Sequence, residues 1–208
     1  MVRFLWGFPG SSRQYPGVAK AGRGPRVIAG EAGGRRLVSP PGDRVRPTTD
    51  RVKESVFAAL GPDHLSGARV LDLYAGTGAL ALEALSRGAA RALLVERDAG
   101  AGRAIVANLE RTGMAERARL LRGDVRAVLT GPAPEAFDLV FLDPPYDLDG
   151  AELEDVIRRL VDGGWAAEGA TLVVERAGGG SPPSWPPGWR STWERCYGDT
   201  LVLFAQRE

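Results

Sequence analysis

The chain has 208 residues, 44% of them apolar, and 27 Lys/Arg against 26 Asp/Glu leave a net charge of +1. That length suits one domain with an appendage and buries a core needing no disulfide or metal staple. A lone cysteine (Cys196) and a lone histidine (His64) exclude an intramolecular disulfide and a Cys/His zinc site. No apolar run reaches the roughly 18 residues of a membrane span, and residues 1–8 are too weakly apolar for a secretory signal, so the expected setting is the cytoplasm.

The net charge conceals a division. Residues 1–60 carry +7 and residues 61–208 carry −6. A basic leading segment on an acidic body predicts one face that meets a polyanion, although charge alone fits a basic tail without a partner equally well. Arginine outnumbers lysine 25 to 2, and the guanidinium fork suits phosphate.

In chain order, residues 1–25 show Gly, Pro and Ser without periodicity and are expected to form a flexible extension. Residues 26–29 and 35–38 read as two short strands around a Gly33-Gly34 turn. Thr48 or Thr49 is the expected N-cap of a helix through Val52, Val56, Phe57 and Leu60, stopped by Gly61-Pro62. Strand and helix then alternate. Strands are predicted at 69–74, 92–95, 119–121, 137–142 and 171–174, and helices at 79–87, 98–112 and through Leu153, Val156, Ile157 and Leu160. Residues 189–196 and 200–204 form a closing hairpin turning at Gly198-Asp199. This alternation predicts an α/β fold: a parallel sheet with helices on both faces and ligands at the carboxyl ends of the strands.

Four motifs fall at those strand ends. The first is Asp72-Leu73-Tyr74-Ala75-Gly76-Thr77-Gly78, a strand running through a glycine-rich turn into a helix. It also satisfies the dinucleotide pattern at Gly76, Gly78 and Ala81, but Asp72 would repel a pyrophosphate and attract the ammonium of a methionine moiety, as in S-adenosylmethionine. The second is Glu96-Arg97, with Glu96 placed 24 residues after Asp72 to accept both ribose hydroxyls. The third is Asp124-Val125, where Asp124 can accept from an adenine amine and the Val125 N–H can donate to a ring nitrogen; equally, Asp124 can be a helix N-cap.

The fourth is Asp143-Pro144-Pro145-Tyr146, directly after the strand at 137–142. Two consecutive prolines hold the backbone extended and remove two N–H donors. The Asp143 carboxylate and the Pro144 carbonyl then stand as adjacent acceptors. An exocyclic amine conjugated to a base is a poor nucleophile, and acceptors on both its N–H groups localise its lone pair. Tyr146 offers a face for stacking the base.

With this motif the chain resembles the class I S-adenosylmethionine-dependent methyltransferases that methylate amines. Over residues 26–204 it resembles more specifically the RsmD family, which methylates the N2 amine of a guanine in 16S ribosomal RNA. The closer resemblance rests on Arg26-Val27-Ile28-Ala29-Gly30, Gly34-Arg35-Arg36-Leu37, Arg46-Pro47-Thr48-Thr49-Asp50-Arg51-Val52-Lys53-Glu54, the Asp-Pro-Pro-Tyr motif and Tyr197-Gly198-Asp199-Thr200.

The resemblance implies a Rossmann-like, seven-stranded, mostly parallel sheet with its last strand antiparallel. It implies a basic hairpin and helix (26–60) facing RNA and a methyltransferase domain (61–208). Asp143, Pro144 and Tyr146 would be catalytic. Asp72, Tyr74, Ala75, Gly76, Thr77, Gly78, Glu96, Arg97, Asp124, Val125 and Asp143 would hold S-adenosylmethionine. Arg26, Arg35, Arg36, Arg46, Thr48, Arg51, Pro145 and Tyr146 would hold RNA in a small ribosomal subunit or its assembly intermediate. The expected enzyme is a monomer without metal.

Three other readings share the fold: an N6-adenine DNA methyltransferase, an NAD-dependent dehydrogenase and a non-catalytic RNA-binding module. Trp185, Trp189 and Trp193 are expected to pack rather than to stack bases.

Overall fold

The computed structural model describes residues 24–40, 50–145, 148–178 and 182–208. The predicted extension (apart from residues 24 and 25), the predicted N-caps Thr48 and Thr49, and the site residues Arg46, Thr48 and Tyr146 lie outside them. The elements are α1 (Asp50–Leu60), β1 (Arg69–Leu73), α2 (Ala79–Ser86), β2 (Arg91–Glu96), α3 (Ala99–Thr112), β3 (Ala118–Arg122), α4 (Val125–Leu129), β4 (Phe137–Leu142), α5 (Gly150–Asp162), β5 (Ala166–Ala177), β6 (Trp189–Tyr197) and β7 (Thr200–Arg207).

The strands form one seven-stranded sheet in the order β3-β2-β1-β4-β5-β7-β6. β1 to β5 pair in parallel, and β7 runs antiparallel to both β5 and β6. The order reverses between β1 and β4. The carboxyl ends of those two strands therefore flank the switch point at which such sheets bind ligands.

The central strands are apolar on both faces because helices cover both. Val70, Leu139 and Phe141 pack with Val56 and Phe57 of α1, Leu82 and Leu85 of α2, and Ile105 and Leu109 of α3. Leu71, Leu73, Val140 and Leu142, the alternate positions, pack with Val125 and Leu129 of α4 and with Leu153, Val156, Ile157 and Leu160 of α5. Several sequence signals are realised directly. Asp98 caps α3 by accepting from the Ala101 N–H at 2.7 Å, and Gly113 ends that helix in the left-handed region. Trp193 packs on Phe204 with ring centroids 4.7 Å apart, and Trp189 is buried.

Three elements differ from the sequence reading. The strand pair at 26–29 and 35–38 is a single antiparallel bridge, Arg26 to Arg36. The cause is competition for its donors: the Ile28 and Ala29 N–H groups donate to the two Glu83 carboxylate oxygens, at 2.6 and 3.1 Å, not to a neighbouring strand. Secondly, α4 is a five-residue helix, too short to show periodicity. Thirdly, β5 extends back to Ala166 across a register shift, with Glu168 and Gly169 exposed.

Residues 26–38 also share the core of the sheet. Val27 and Leu37 are fully buried among α1 and α2 side chains, and packing runs without a break across residue 60. Four polar side chains tie the segment down. Glu83, fully buried, accepts from Ile28, Ala29 and Arg87 Nε and lies 3.8 Å from Lys53 Nζ. Lys53 donates to the Arg26 carbonyl. Ser86 Oγ accepts from Ala32 N–H and donates to Ala29 O. Asn108 exchanges two hydrogen bonds with the Val38 backbone. Gly30 is required by this close approach: it adopts φ +82°, and a Cβ there would stand 1.7 Å from the Ser86 carbonyl oxygen.

Candidate active site

The glycine-rich turn carries β1 into α2. Tyr74 adopts φ 62°, unusual outside glycine, and Gly76 and Gly78 follow at 55° and 79°. The Ala75 N–H donates to Val95 O at 3.1 Å, which pins the turn to β2, and the Gly78 N–H donates back to Ala75 O at 2.7 Å. Thr77 is buried and its carbonyl accepts from Asn108 Nδ2 at 3.0 Å. A Cβ placed on Gly76 would meet no atom within 4 Å. The turn thus offers bare backbone to open space.

Asp72 lies beneath this turn. It is 1% exposed, and its Oδ2 accepts from the Ala81 N–H at 3.1 Å. The carboxylate thereby sits at the N-terminus of α2, whose N-cap residue Gly78 has no side chain to do so. Enclosure of β1 by helices turns Asp72 inward, where its carboxyl braces the turn from beneath. Burial raises its pKa well above the ordinary carboxylate range, and the charges of Asp143 and Glu96 push in the same direction while the Ala81 N–H opposes them. Three carboxylates therefore converge on the turn.

The raised pKa has a definite sign. The folded protein keeps this proton at a pH where the unfolded chain has lost it. The stability it contributes is full below the ordinary aspartate value and falls as pH rises through the raised one. Asp72→Asn keeps an acceptor for Ala81 and removes the charge. Its melting temperature relative to the parent should therefore rise as pH increases from the ordinary aspartate range through the raised one, and then level off; a difference independent of pH would contradict the assignment.

Glu96, at the end of β2, is held by two backbone donors, Gly76 N–H to Oε2 at 2.9 Å and Asp98 N–H to Oε1 at 2.7 Å. Each oxygen keeps a second lone pair, so the carboxylate is oriented and still able to accept. Arg97 is exposed and its Nη1 stands 3.8 Å from Asp124 Oδ2. Asp124 is the N-cap of α4, its Oδ1 accepting from Arg126 and Ala127 N–H at 3.0 and 3.3 Å. Val125, the first residue of that helix, is buried. Tyr74 is half-buried, and burial lifts its phenol to about 12.

Asp143 and Pro144 follow β4 directly. Asp143 is partly exposed, Pro144 buried and Pro145 exposed. Asp143 lines a small, open cleft with Val56, Leu80, Leu142, Val173, Glu175 and Val202. Leu80 lies in the first turn of α2, so this cleft adjoins the glycine turn. The structure therefore brings together the groups at the ends of β1, β2 and β4. Of the predicted RNA-contacting residues, Arg26 pairs with Asp50 at 3.0 Å. Arg35 is exposed and donates to the Arg111 carbonyl at the end of α3 at 2.8 Å, and Arg36 and Arg51 are exposed.

Sequence reasoning missed two groups here. Asn108 is fully buried and bonds both the turn and residue 38; a polar residue on the apolar face of a predicted helix was the available signal. Glu175 is 8% exposed within the Asp143 cleft; an acid ending the apolar run 171–174 marked it.

A sheet of this order with one antiparallel strand, a glycine turn after β1 and an Asp-Pro-Pro corner after β4 define the class I methyltransferase fold. Residues 25–206 match the family model described as Conserved hypothetical protein 95, and the chain belongs to that family, the RsmD family. It is 38% identical over 183 residues to Ribosomal RNA small subunit methyltransferase D of Escherichia coli, covering 88% of this chain and 90% of the relative. The protein of the same name from Haemophilus influenzae is 36% identical over 152 residues, covering 72% and 77%. Among solved structures, Escherichia coli yhhF, described as a candidate methyltransferase, superposes with a TM-score of 0.76 at 36% identity, covering 88% of this chain and 97% of that one.

Proposed function

We propose that the protein methylates the exocyclic N2 amine of a guanine in small-subunit ribosomal RNA, using S-adenosylmethionine, as a cytoplasmic monomer. The observation that carries this reading is the Asp143-Pro144-Pro145 corner in a cleft adjoining a glycine turn ringed by Asp72, Glu96 and Asp143. The Glu96 and Asp143 carboxylates favour a cationic ligand and oppose a pyrophosphate, which argues against NAD. The open space above Gly76 fits a ligand lying on backbone. The names of the Escherichia coli and Haemophilus influenzae relatives support ribosomal RNA as substrate.

S-adenosylmethionine, when bound, supplies a methyl carbon on a positively charged sulfur. In this reading Glu96 holds its ribose, Asp124 and the Val125 N–H hold its adenine, and Asp72, bonded to the Ala81 N–H, braces the turn beneath its methionine end. Asp143 and the Pro144 carbonyl accept the two N–H groups of the base amine, localise its lone pair and hold it in attack geometry, where about 7–11 kcal/mol of barrier reduction is available. The Asp143 carboxylate receives the proton that the amine sheds. Unstacking the guanine costs a few kcal/mol, and stacking on Tyr146 returns about 1–3 kcal/mol. Arg35, Arg36 and Arg51 hold phosphates, with Arg26, Arg46 and Thr48 beside them in sequence.

Glu96→Ala should weaken S-adenosylhomocysteine binding about 10- to 100-fold, the loss of one or two charge-assisted hydrogen bonds, with the turnover at saturating cofactor largely kept. Titration calorimetry reads the first and steady-state kinetics the second; unchanged affinity would contradict the ribose assignment. The function itself is tested by incubating the protein with methyl-labelled cofactor and, separately, small subunits, stripped ribosomal RNA and DNA. Label is expected in the ribosomal RNA, and label confined to DNA would overturn the reading.

A further inference from the structure

We infer that the outer face of α3, with Arg103 and Arg111 on the helix and Arg35 and Arg122 beside it, is a docking surface for the phosphate backbone of the substrate RNA. The inference rests on the proposed function and extends its RNA interface from residues 26–60 onto the body of the protein. The sequence marks the place by its charge. Residues 61–208 carry −6, yet 99–122 within them hold five arginines and two glutamates, or +3. α3 turns Ala101, Ala104, Ile105, Asn108 and Leu109 into the core. That leaves Arg103 and Arg111 outside, about 12 Å apart along the axis. Arg35 Nη1 donates to the Arg111 carbonyl at 2.8 Å, which joins the 26–38 segment to one end of the helix. At the other end Arg122 lies against α3: a Cβ on Gly102 would stand 3.5 Å from its Cδ and 3.6 Å from its Nε. Arg122 is in register with Glu96 across β2 and β3, so the row of guanidinium groups runs from Arg35 to the rim of the cofactor turn. All four side chains are exposed.

Arginines elsewhere commonly answer an acid: Arg69 pairs with Asp138, Arg91 with Glu135 and Arg126 with Glu152. Among the described residues, Arg35, Arg103, Arg111 and Arg122 form no ion pair. The acids at the N-terminal end of α3 are held by backbone donors, Asp98 by the Ala101 N–H and Glu96 by the Gly76 and Asp98 N–H groups. The dipole of α3 favours Arg35 and Arg111 at its C-terminal end. At its N-terminal end, where Arg103 and Arg122 stand, it favours anions, so these two cations owe nothing to the helix. Gathered like charges repel one another and raise the local concentration of a polyanion. Each planar guanidinium fork fits phosphate oxygens, and such contacts add salt-sensitive affinity without base preference.

The test is filter binding of stripped small-subunit ribosomal RNA from about 50 to 200 mM salt. Four proteins are compared: the parent, the triple variant Arg103→Gln, Arg111→Gln, Arg122→Gln, the same three positions changed to lysine, and a control double variant, Arg158→Gln, Arg190→Gln. The control removes two arginines outside this face, each paired with an acid. The glutamine triple should bind about 10- to 100-fold more weakly at the low-salt end, and its log–log salt slope should fall by about 2, the loss of three phosphate contacts. The lysine triple keeps the charge and should keep most of the slope. The control should stay within about threefold of the parent. In methyl transfer, the glutamine triple should raise the KM for small subunits and leave kcat nearly unchanged. An unchanged slope or KM in the glutamine triple would overturn the docking surface, as would an equal loss in the control. A parent protein that fails to bind ribosomal RNA at any salt would instead overturn the RNA reading of the proposed function, and this inference with it.

Discussion

Changing Asp143 to asparagine should lower the rate of methyl transfer about 10²–10³-fold, equivalent to about 3–4 kcal/mol of barrier, while cofactor affinity stays within about threefold. The substitution preserves volume and exchanges one carboxylate oxygen for an N–H₂ group. That places a donor against an amine that must itself donate, and removes the group that receives its proton. The corner cannot rearrange to compensate, because Pro144 and Pro145 fix two successive φ angles and Pro144 is buried against the sheet. In the proposed reading the cofactor rests chiefly on the turn after β1 and on Glu96, whose own hydrogen bonds the change leaves intact. Single-turnover transfer with cofactor prebound reads the chemical step, and calorimetry with S-adenosylhomocysteine reads binding. A near-parental rate would refute the role of the corner.

Replacing Glu83 by alanine should cost about 3–5 kcal/mol of stability, the loss expected when one partner of a buried ion pair is removed. For a chain of this size that lowers Tm by about 6–20 °C. Glu83 is fully buried and serves four donors: the Ile28 and Ala29 N–H groups, Arg87 Nε and the Lys53 ammonium. Without it Lys53 stays buried, held only by the Arg26 carbonyl and at a distance by Asp50. Burial already pushes the Lys53 pKa down, with Glu83 the main opposing influence. Lys53→Met should cost less, because Glu83 keeps three N–H donors. Urea melts of both single variants and the double variant close a cycle, and the coupling should exceed 1 kcal/mol. Additive losses would mean the two side chains act independently.

Much of the fold was legible because the elements that build the sheet are strongly patterned. Apolar runs such as Leu139–Leu142 announce strands covered on both faces, and Gly113 falls where it ends helix α3. The strand-end motifs also met as expected, because a parallel sheet gathers its carboxyl ends along one edge. What could not be read was long-range polar pairing. The 26–38 segment looks like an ordinary hairpin until Glu83, more than fifty residues away, takes two of its N–H groups. Asp72 has the sequence signature of a ligand-facing acid, yet enclosure of β1 turns it inward to α2. Glu175 ends an apolar run as a surface acid would, and only the pairing of β4 with β5 brings it beside Asp143.

The most direct measurement identifies the methylated atom. Small subunits from cells lacking the gene are incubated with the protein and labelled cofactor, the ribosomal RNA is digested to nucleosides, and the label is located by mass spectrometry. The account predicts N2-methylguanosine as the labelled nucleoside, formed by the parent protein and absent with Asp143→Ala. Label on a ring carbon or a ribose hydroxyl would contradict it, because neither atom has the pair of N–H groups that the Asp143-Pro144 corner is built to accept.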